Sequence, residues 1–201
     1  MKEDILEQIV DDYLKTKGYF TKHNVKFKPS KDDLDYNTKS DCVASDIDVV
    51  GYHPMLAGAD RIWVVSCKSW QEGFDPRARI DSIEGRRRIV SREGWKYFRE
   101  LAKEKWAKAL VAEVRNLTGS TVFTHVTAVT KLKGDRNVWE QHQPFKDKLG
   151  GNPIRVIELN EMLTDMHSRT GTAVASSEIG RLLQVIKASG WLRKDESTKQ
   201  N

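Results

Sequence analysis

Asp46-Ile47-Asp48-Val49-Val50 and, after a turn, Trp63-Val64-Val65-Ser66-Cys67-Lys68 form the stretch whose reading decides the fold. Both runs are short, apolar and rich in β-branched residues, which predicts two neighbouring strands at about 43–51 and 61–68. A turn containing Pro54 and Gly58 joins them. Residues two apart in a strand point the same way, so Asp46 and Asp48 share one face, and Ser66 and Lys68 share one face of the next strand. Ile47, Val49, Val65 and Cys67 fall on the opposite faces.

Working outward, Leu6, Ile9, Val10, Tyr13 and Leu14 mark a helix over 3–17 that Gly18 closes. Tyr19 to Phe27 alternates loosely and reads as a first strand or an extended lead-in. Residues 28–41 read as a polar exposed loop. After Gly73 and Pro76, residues 80–117 read as mostly helical, divided near Gly94. Val122–Val129 and Ile154–Leu159 are further strands. Helices over Asn160–His167 and Ser177–Ser189 follow, the second with a Ser N-cap and a Gly stop. The order predicts an α/β layer with a mixed central sheet flanked by helices. Residues 1–160 form its core, 161–192 hold C-terminal helices that pack on the core or join two subunits, and 193–201 form a frayed polar tail.

At 201 residues the chain fits one compact domain. No apolar run reaches the roughly 18 residues of a membrane span, and the acidic, amphipathic start resembles neither a secretory nor a transit signal. The expected compartment is cytoplasmic. Cys42 and Cys67 make no disulfide framework and no zinc array, so both read as reduced packing residues.

A net charge of +5 suits a polyanionic partner, and its distribution is more informative. Residues 1–50 carry 8 Lys/Arg against 11 Asp/Glu, whereas 77–115 carry 12 against 6. The acids lie with the two strands and the bases follow them. Arg86, Arg87, Arg88 and Arg92 are candidate phosphate contacts, with Glu93, Glu100 and Glu104 available as intrahelical partners. Trp70 and Gln71 follow the lysine strand, where they either touch nucleic acid or, for Trp70, pack on the core. The five histidines show no ligand spacing, and only His53 sits where it can border the acids.

An acid inside an apolar strand must be paired or bind a cation, which singles out Asp48. Asp46, nearer the strand start, is a second candidate. Carboxylates that hold a hard cation, with a lysine beside them, suit metal-assisted hydrolysis of a phosphodiester.

The order of Glu7 on a helix, Asp48 in Ser-Asp-Ile-Asp-Val-Val-Gly-Tyr and Lys68 in Val-Val-Ser-Cys-Lys-Ser-Trp resembles the PD-(D/E)XK nuclease superfamily. That family includes restriction endonucleases, Holliday-junction resolvases and Mrr-like enzymes. The resemblance covers roughly residues 3–160 and implies an αβββαβ restriction-endonuclease-like core. It also implies Mg²⁺, with Mn²⁺ as a substitute, held by Glu7 and Asp48, with Lys68 activating water. DNA is the implied substrate, RNA being left open, and double-strand cutting implies a homodimer. One position departs from the pattern: residue 66 is serine where the family carries an acid. Ser-x-Lys members recover that acid from the following helix, which points to Glu84, with Asp81 as the other choice. Without such recovery, either Asp48 and the Cys67 carbonyl hold the metal with water, or the fold is a binding module, disabled at Ser66, for nucleic acid or protein.

Overall fold

A computed structural model describes residues 4–85, 94–171 and 173–190. Helix α1 (Ile5–Thr16) buries the expected stripe of Leu6, Ile9, Val10, Tyr13 and Leu14. Asp4 caps it, accepting the Leu6 amide at 2.9 Å. Gly18 turns the chain at φ 91°, and a Cβ there would lie 2.9 Å from His53 Nε2.

Strand β1 (Phe20–Phe27) leads through the short helix α2 (Thr38–Asp41) to β2 (Ser45–Tyr52) and β3 (Ile62–Lys68). Helices α3 (Pro76–Ile83), α4 (Arg99–Ala102) and α5 (Glu104–Thr118) then carry the chain to β4 (Thr124–Val129). Helices α6 (Asn137–Glu140) and α7 (Gln143–Lys148), β5 (Ile154–Glu158), α8 (Leu159–Arg169) and α9 (Glu178–Ser189) complete it.

The sheet runs β1-β2-β3-β4-β5. Its first two pairings are antiparallel and its last two parallel. The α/β mixed-sheet reading therefore holds. A parallel neighbour needs a crossover, and the helical stretch between β3 and β4 supplies it.

Two apolar layers sandwich the sheet. On one side α1, α8 and α9 pack Leu6, Leu14, Met162 and Leu183 against Val49, Val65, Val126 and Ala128. On the other, Phe98, Trp106, Leu110 and Trp139 pack against Ile47, Val50, Val64 and Val129. β4 is buried at all six positions, as a central parallel strand must be.

Three local outcomes differ from the sequence reading. Residues 28–41 are not wholly an exposed polar loop, because Asp41 is 0% exposed. Its carboxylate accepts from Lys105 Nζ at 2.6 Å, Trp106 Nε1 at 3.2 Å, the Asn37 amide at 2.7 Å and Ser40 Oγ at 3.0 Å. Burial pushes this acid up, but the four donors outweigh it and bring its pKa to about 2. The loop is thereby tied to α5. Second, the helical region begins at Pro76, with Asp75 as its cap accepting the Ala78 amide at 3.0 Å. Gly94 marks the division because it lies against Ser82, whose Oγ would be 1.8 Å from an added Cβ. Third, Cys42 is exposed rather than packed, while Cys67 is half-buried.

The feature that positions the site is a slip in the first two strands. Thr21 and His23 turn toward Asp11 of α1, with His23 Nε2 at 3.0 Å, yet Val25 and Phe27 join the opposite layer. On β2 the expected sharing of one face by Ile47 and Val49 fails: Val49 belongs to the α1 layer, but Ile47 and Val50, three apart, both belong to the other. Alternation breaks at Asn24 and Asp48, which stand opposite one another in a register otherwise continuous from Phe20↔Tyr52 to Phe27↔Ser45. Asn24 takes up the change with φ 52°, among the described residues the only positive φ outside glycine.

That conformation predicts a ranking. Asn24→Gly should leave stability within about 0.5 kcal/mol of the native chain, whereas Asn24→Val should cost roughly 1–3 kcal/mol, because a β-branched residue is strained at positive φ. Urea unfolding of the two variants measures it, and equal stability would mean that the slip imposes no strain.

Candidate functional site

β2 and β3 pair from Tyr52↔Ile62 to Val49↔Val65, and there the ladder stops. The next residues, Asp48 and Ser66, lie where the two strands part. A backbone donor freed from a ladder must find another acceptor. At this fork the Cys67 amide donates to Asp48 Oδ2 at 2.6 Å, so a side chain does what the partner strand no longer does. Asp48 Oδ1 accepts no hydrogen bond among the described residues.

On β3, Val64 faces the α5 layer and Val65 the α1 layer, so alternation sends Ser66 and Lys68 toward α5 and Cys67 toward α1. The contacts agree. Lys68 Nζ donates to Ser66 Oγ at 2.6 Å and to the Cys67 carbonyl at 3.2 Å, and it stands 5.3 Å from the centre of the Phe98 ring. A lysine so placed is held at three points: hydroxyl, carbonyl and aromatic face.

Burial raises the Asp48 carboxyl, and the pull of Lys68 and the Cys67 amide does not cancel it, since Glu100 and Asp46 add like charge. Burial also lifts the Cys67 thiol well above its ordinary value, helped by Asp48, Glu7 and Asp4. Cys67 is consequently a protonated packing residue whose useful atom is its carbonyl oxygen.

The residues singled out from sequence are distributed as follows. Asp48 stands on one strand of the fork, and Lys68, bonded to Ser66, on the other. Glu7, half-buried in the first turn of α1, acts on Cys67 from the opposite layer to Lys68. Asp46 forms a cross-strand ion pair with Lys26. Glu84, just past the end of α3, lies 3.1 Å from His142 Nε2. Asp81 sits within α3. Trp70 is wedged into the core margin, stacked on Phe74 with the Arg79 guanidinium 3.8 Å from its ring, so packing fixes its position. Gln71 is exposed. His53 belongs to its own turn, where Nδ1 accepts the Met55 and Leu56 amides at 3.2 Å each. Arg86, Arg87, Arg88 and Arg92 lie outside the described residues.

One residue was misread from sequence. Glu100 is no surface partner for the arginines: it is 6% exposed, beside His125, itself 1% exposed, with Nε2 and Oε1 3.4 Å apart. Burial raises the Glu100 carboxyl, but His125 and Lys68 together hold it below its ordinary value. It is also the acid, other than Asp46, whose charge reaches Asp48. The available signal was its place between Phe98 and Leu101, two large apolar residues that are both fully buried.

Among the described residues no group of three or more His, Cys, Asp or Glu side chains is gathered to hold a metal ion. What the fork offers is hard oxygen: Asp48 Oδ1, the Cys67 carbonyl and the nearby charge of Glu100. Such a set fits Mg²⁺, which takes one or two carboxylates and keeps most of its waters, and does not fit a fully protein-ligated ion. No helix among the described residues is long and apolar enough to cross a membrane. No family model, curated protein or solved structure matches the chain.

A raised carboxyl has a definite consequence for stability. Charging Asp48 costs more in the folded chain than in the unfolded one, so its contribution worsens as pH rises from the ordinary carboxylate range through the folded value. Asp48→Asn keeps an oxygen for the Cys67 amide and removes the charge. At pH 7 it should stabilise the metal-free protein by about 0.5–2 kcal/mol, as neutralising a strained site residue commonly does, and the gain should vanish below about pH 4. Urea midpoints at both pH values check this, and a destabilised variant at pH 7 would contradict the reading of the fork.

Proposed function

We propose that this chain is a Mg²⁺-dependent phosphodiesterase, an endonuclease acting on DNA, whose reacting centre is the fork between β2 and β3. The observation that carries the reading is the pairing at one break in the sheet of an incompletely bonded, destabilised carboxylate with a lysine clamped beside it. Perturbed charged groups held together in this way favour chemistry over packing, because packing alone would be better served by apolar residues. The helix, three strands, helices and strand follow in the order that the PD-(D/E)XK resemblance implies, which adds support from the fold.

Asp48 and the Cys67 carbonyl would hold the ion, Mn²⁺ serving as a substitute. When bound, it supplies positive charge to a phosphoryl oxygen and makes its own water more acidic. The remaining work belongs to the chain. Lys68 orients the attacking water and offsets the charge that grows on the phosphate oxygens. Ser66 and Phe98 keep its ammonium from swinging into solvent. Arg86, Arg87, Arg88 and Arg92, with Gln71, would hold the DNA backbone by phosphate contacts that carry no sequence preference. Two chains in a homodimer would bring one centre to each strand of a duplex.

That no group of three metal-ligating side chains is gathered among the described residues favours one rival specifically, a nuclease-like fold that binds DNA without cutting it. Incubation of the protein with supercoiled, linear, branched and single-stranded DNA in Mg²⁺ or Mn²⁺ separates the two. The expected result is metal-dependent cleavage that falls by at least about 100-fold in Lys68→Ala and in Asp48→Asn, with circular dichroism unchanged. Intact substrates together with tight, steeply salt-dependent binding would establish the binding module instead.

A further inference from the structure

Two aromatic residues close one turn of chain ahead of α4. The Phe98 amide donates to the Trp95 carbonyl at 3.2 Å, and the fully buried Phe98 ring stands 5.3 Å from Lys68 Nζ. Three residues of such a 3₁₀ turn advance about 6 Å, so Trp95 is set close to the ring that covers the lysine of the fork.

Trp95 is half-buried and yet belongs to neither apolar layer. Trp63, Trp70, Trp106 and Trp139 all lie within a layer or pack against one. Charge meets the Trp95 ring instead: Lys96 Nζ lies 5.7 Å and Lys103 Nζ 5.4 Å from its centre, and both lysines are exposed. The charge of this turn is also one-sided. From Gly94 to Lys103 the charged residues are Lys96, Arg99, Glu100 and Lys103, and the single acid is buried against His125. Arg99 is held at the margin, its Nη1 donating to the Val43 carbonyl at 3.2 Å with the guanidinium 4.7 Å from the Trp106 ring. What this turn shows to solvent is therefore an indole among cations.

We propose that Trp95 is a platform on which an unpaired base of the substrate strand stacks, with Lys96 and Lys103 on the neighbouring phosphates, so that the fork takes single-stranded or locally opened DNA. The proposal rests on the nuclease reading for the role of the fork, while the stacking itself requires no cleavage.

The chemistry of the patch suits that ligand. Every base has a π-face, so an indole holds a strand by stacking without reading its sequence. A base inside a duplex has both faces covered by its neighbours and must leave the stack to meet a protein ring, so such a platform selects strand state. The ammoniums are drawn to the negative face of the ring in the bare protein, and their flexible four-carbon stems let them turn to phosphates that flank a stacked base. A tryptophan serving only the core would join a layer, as Trp106 and Trp139 do. Lysines serving only solubility would have no reason to converge on one ring.

Two measurements made without metal test the platform. Irradiation of the native chain with an oligothymidylate carrying 5-bromouracil, followed by peptide mass spectrometry, should place the main cross-link on Trp95, and the same base within a duplex should give none there. A main cross-link at any other residue overturns the proposal. Anisotropy of a labelled oligothymidylate should show Kd weakened by about 10-fold or more in Trp95→Ala but within about 3-fold of native in Trp95→Phe, which keeps a π-face, with duplex binding unchanged in both. Lys96→Ala and Lys103→Ala should each lower the salt slope of single-strand binding by about 0.7. Equal single-strand affinity of the native chain and Trp95→Ala overturns the platform and leaves the nuclease reading standing. A platform that holds while Mg²⁺ brings no cleavage overturns the nuclease reading alone, and a native chain that binds neither form of DNA overturns both. Should circular dichroism show Trp95→Ala unfolded, Trp95→Leu, which keeps apolar volume and removes the π-face, takes its place.

Discussion

The hydrogen bond from the Cys67 amide to Asp48 Oδ2 is the contact on which the site depends. Up to Val49↔Val65 the β2–β3 ladder satisfies its own backbone, and beyond it the strands part. An unsatisfied amide in this half-buried place would cost about 1–3 kcal/mol, so the fork persists only because a side chain takes the bond. The acid that takes it is also the acid that the proposed chemistry needs. The slip at Asn24 and Asp48 lies beside that bond: past these residues Val25, Phe27 and Ile47 enter the α5 layer.

Charge around the fork is unbalanced by design of the packing. Lys68 is a cation whose charge acts on both Asp48 and Glu100, and its ammonium is shared among Ser66, the Cys67 carbonyl and the Phe98 ring. Asp48 ends above its ordinary pKa and Glu100 below, a division that follows from their partners: His125 donates to Glu100, while a single amide donates to Asp48. The less well compensated carboxylate is the one with an unused oxygen, and a divalent cation is the natural counterpart for it.

Much of the fold was legible because it depends on period and punctuation. The stripe of α1, the Gly18 stop, the five strands and the Ser177 and Gly190 caps of α9 all follow from local sequence, and each falls within a few residues of its expected place. Asp48 and Lys68 were legible for a related reason: charge inside an apolar strand stands out. What sequence did not reveal depends on contacts distant along the chain. Asp41 looks like loop polarity until Lys105 and Trp106 fold onto it. Glu100 looks like one of several helix-surface acids, and only its meeting with His125, 25 residues later, marks it as interior. Glu84 was nominated by the resemblance, and only the fold shows that the turn after α3 places it beside His142. The short helices α6 and α7 had too few residues for a period to register.

The proposed function requires that the β2–β3 fork take up a divalent cation at Asp48. Titration of the uniformly ¹⁵N-labelled protein with Mn²⁺ at sub-stoichiometric ratio tests it most directly, because paramagnetic broadening reports distance from the ion without reference to any activity. The account predicts that the amides of Asp48, Ser66, Cys67 and Lys68 broaden first and together, and that Asp48→Asn abolishes the effect at the same Mn²⁺ concentration. Broadening that starts instead at the acidic loop of Asp32, Asp33 and Asp35, or that survives in Asp48→Asn, would contradict it.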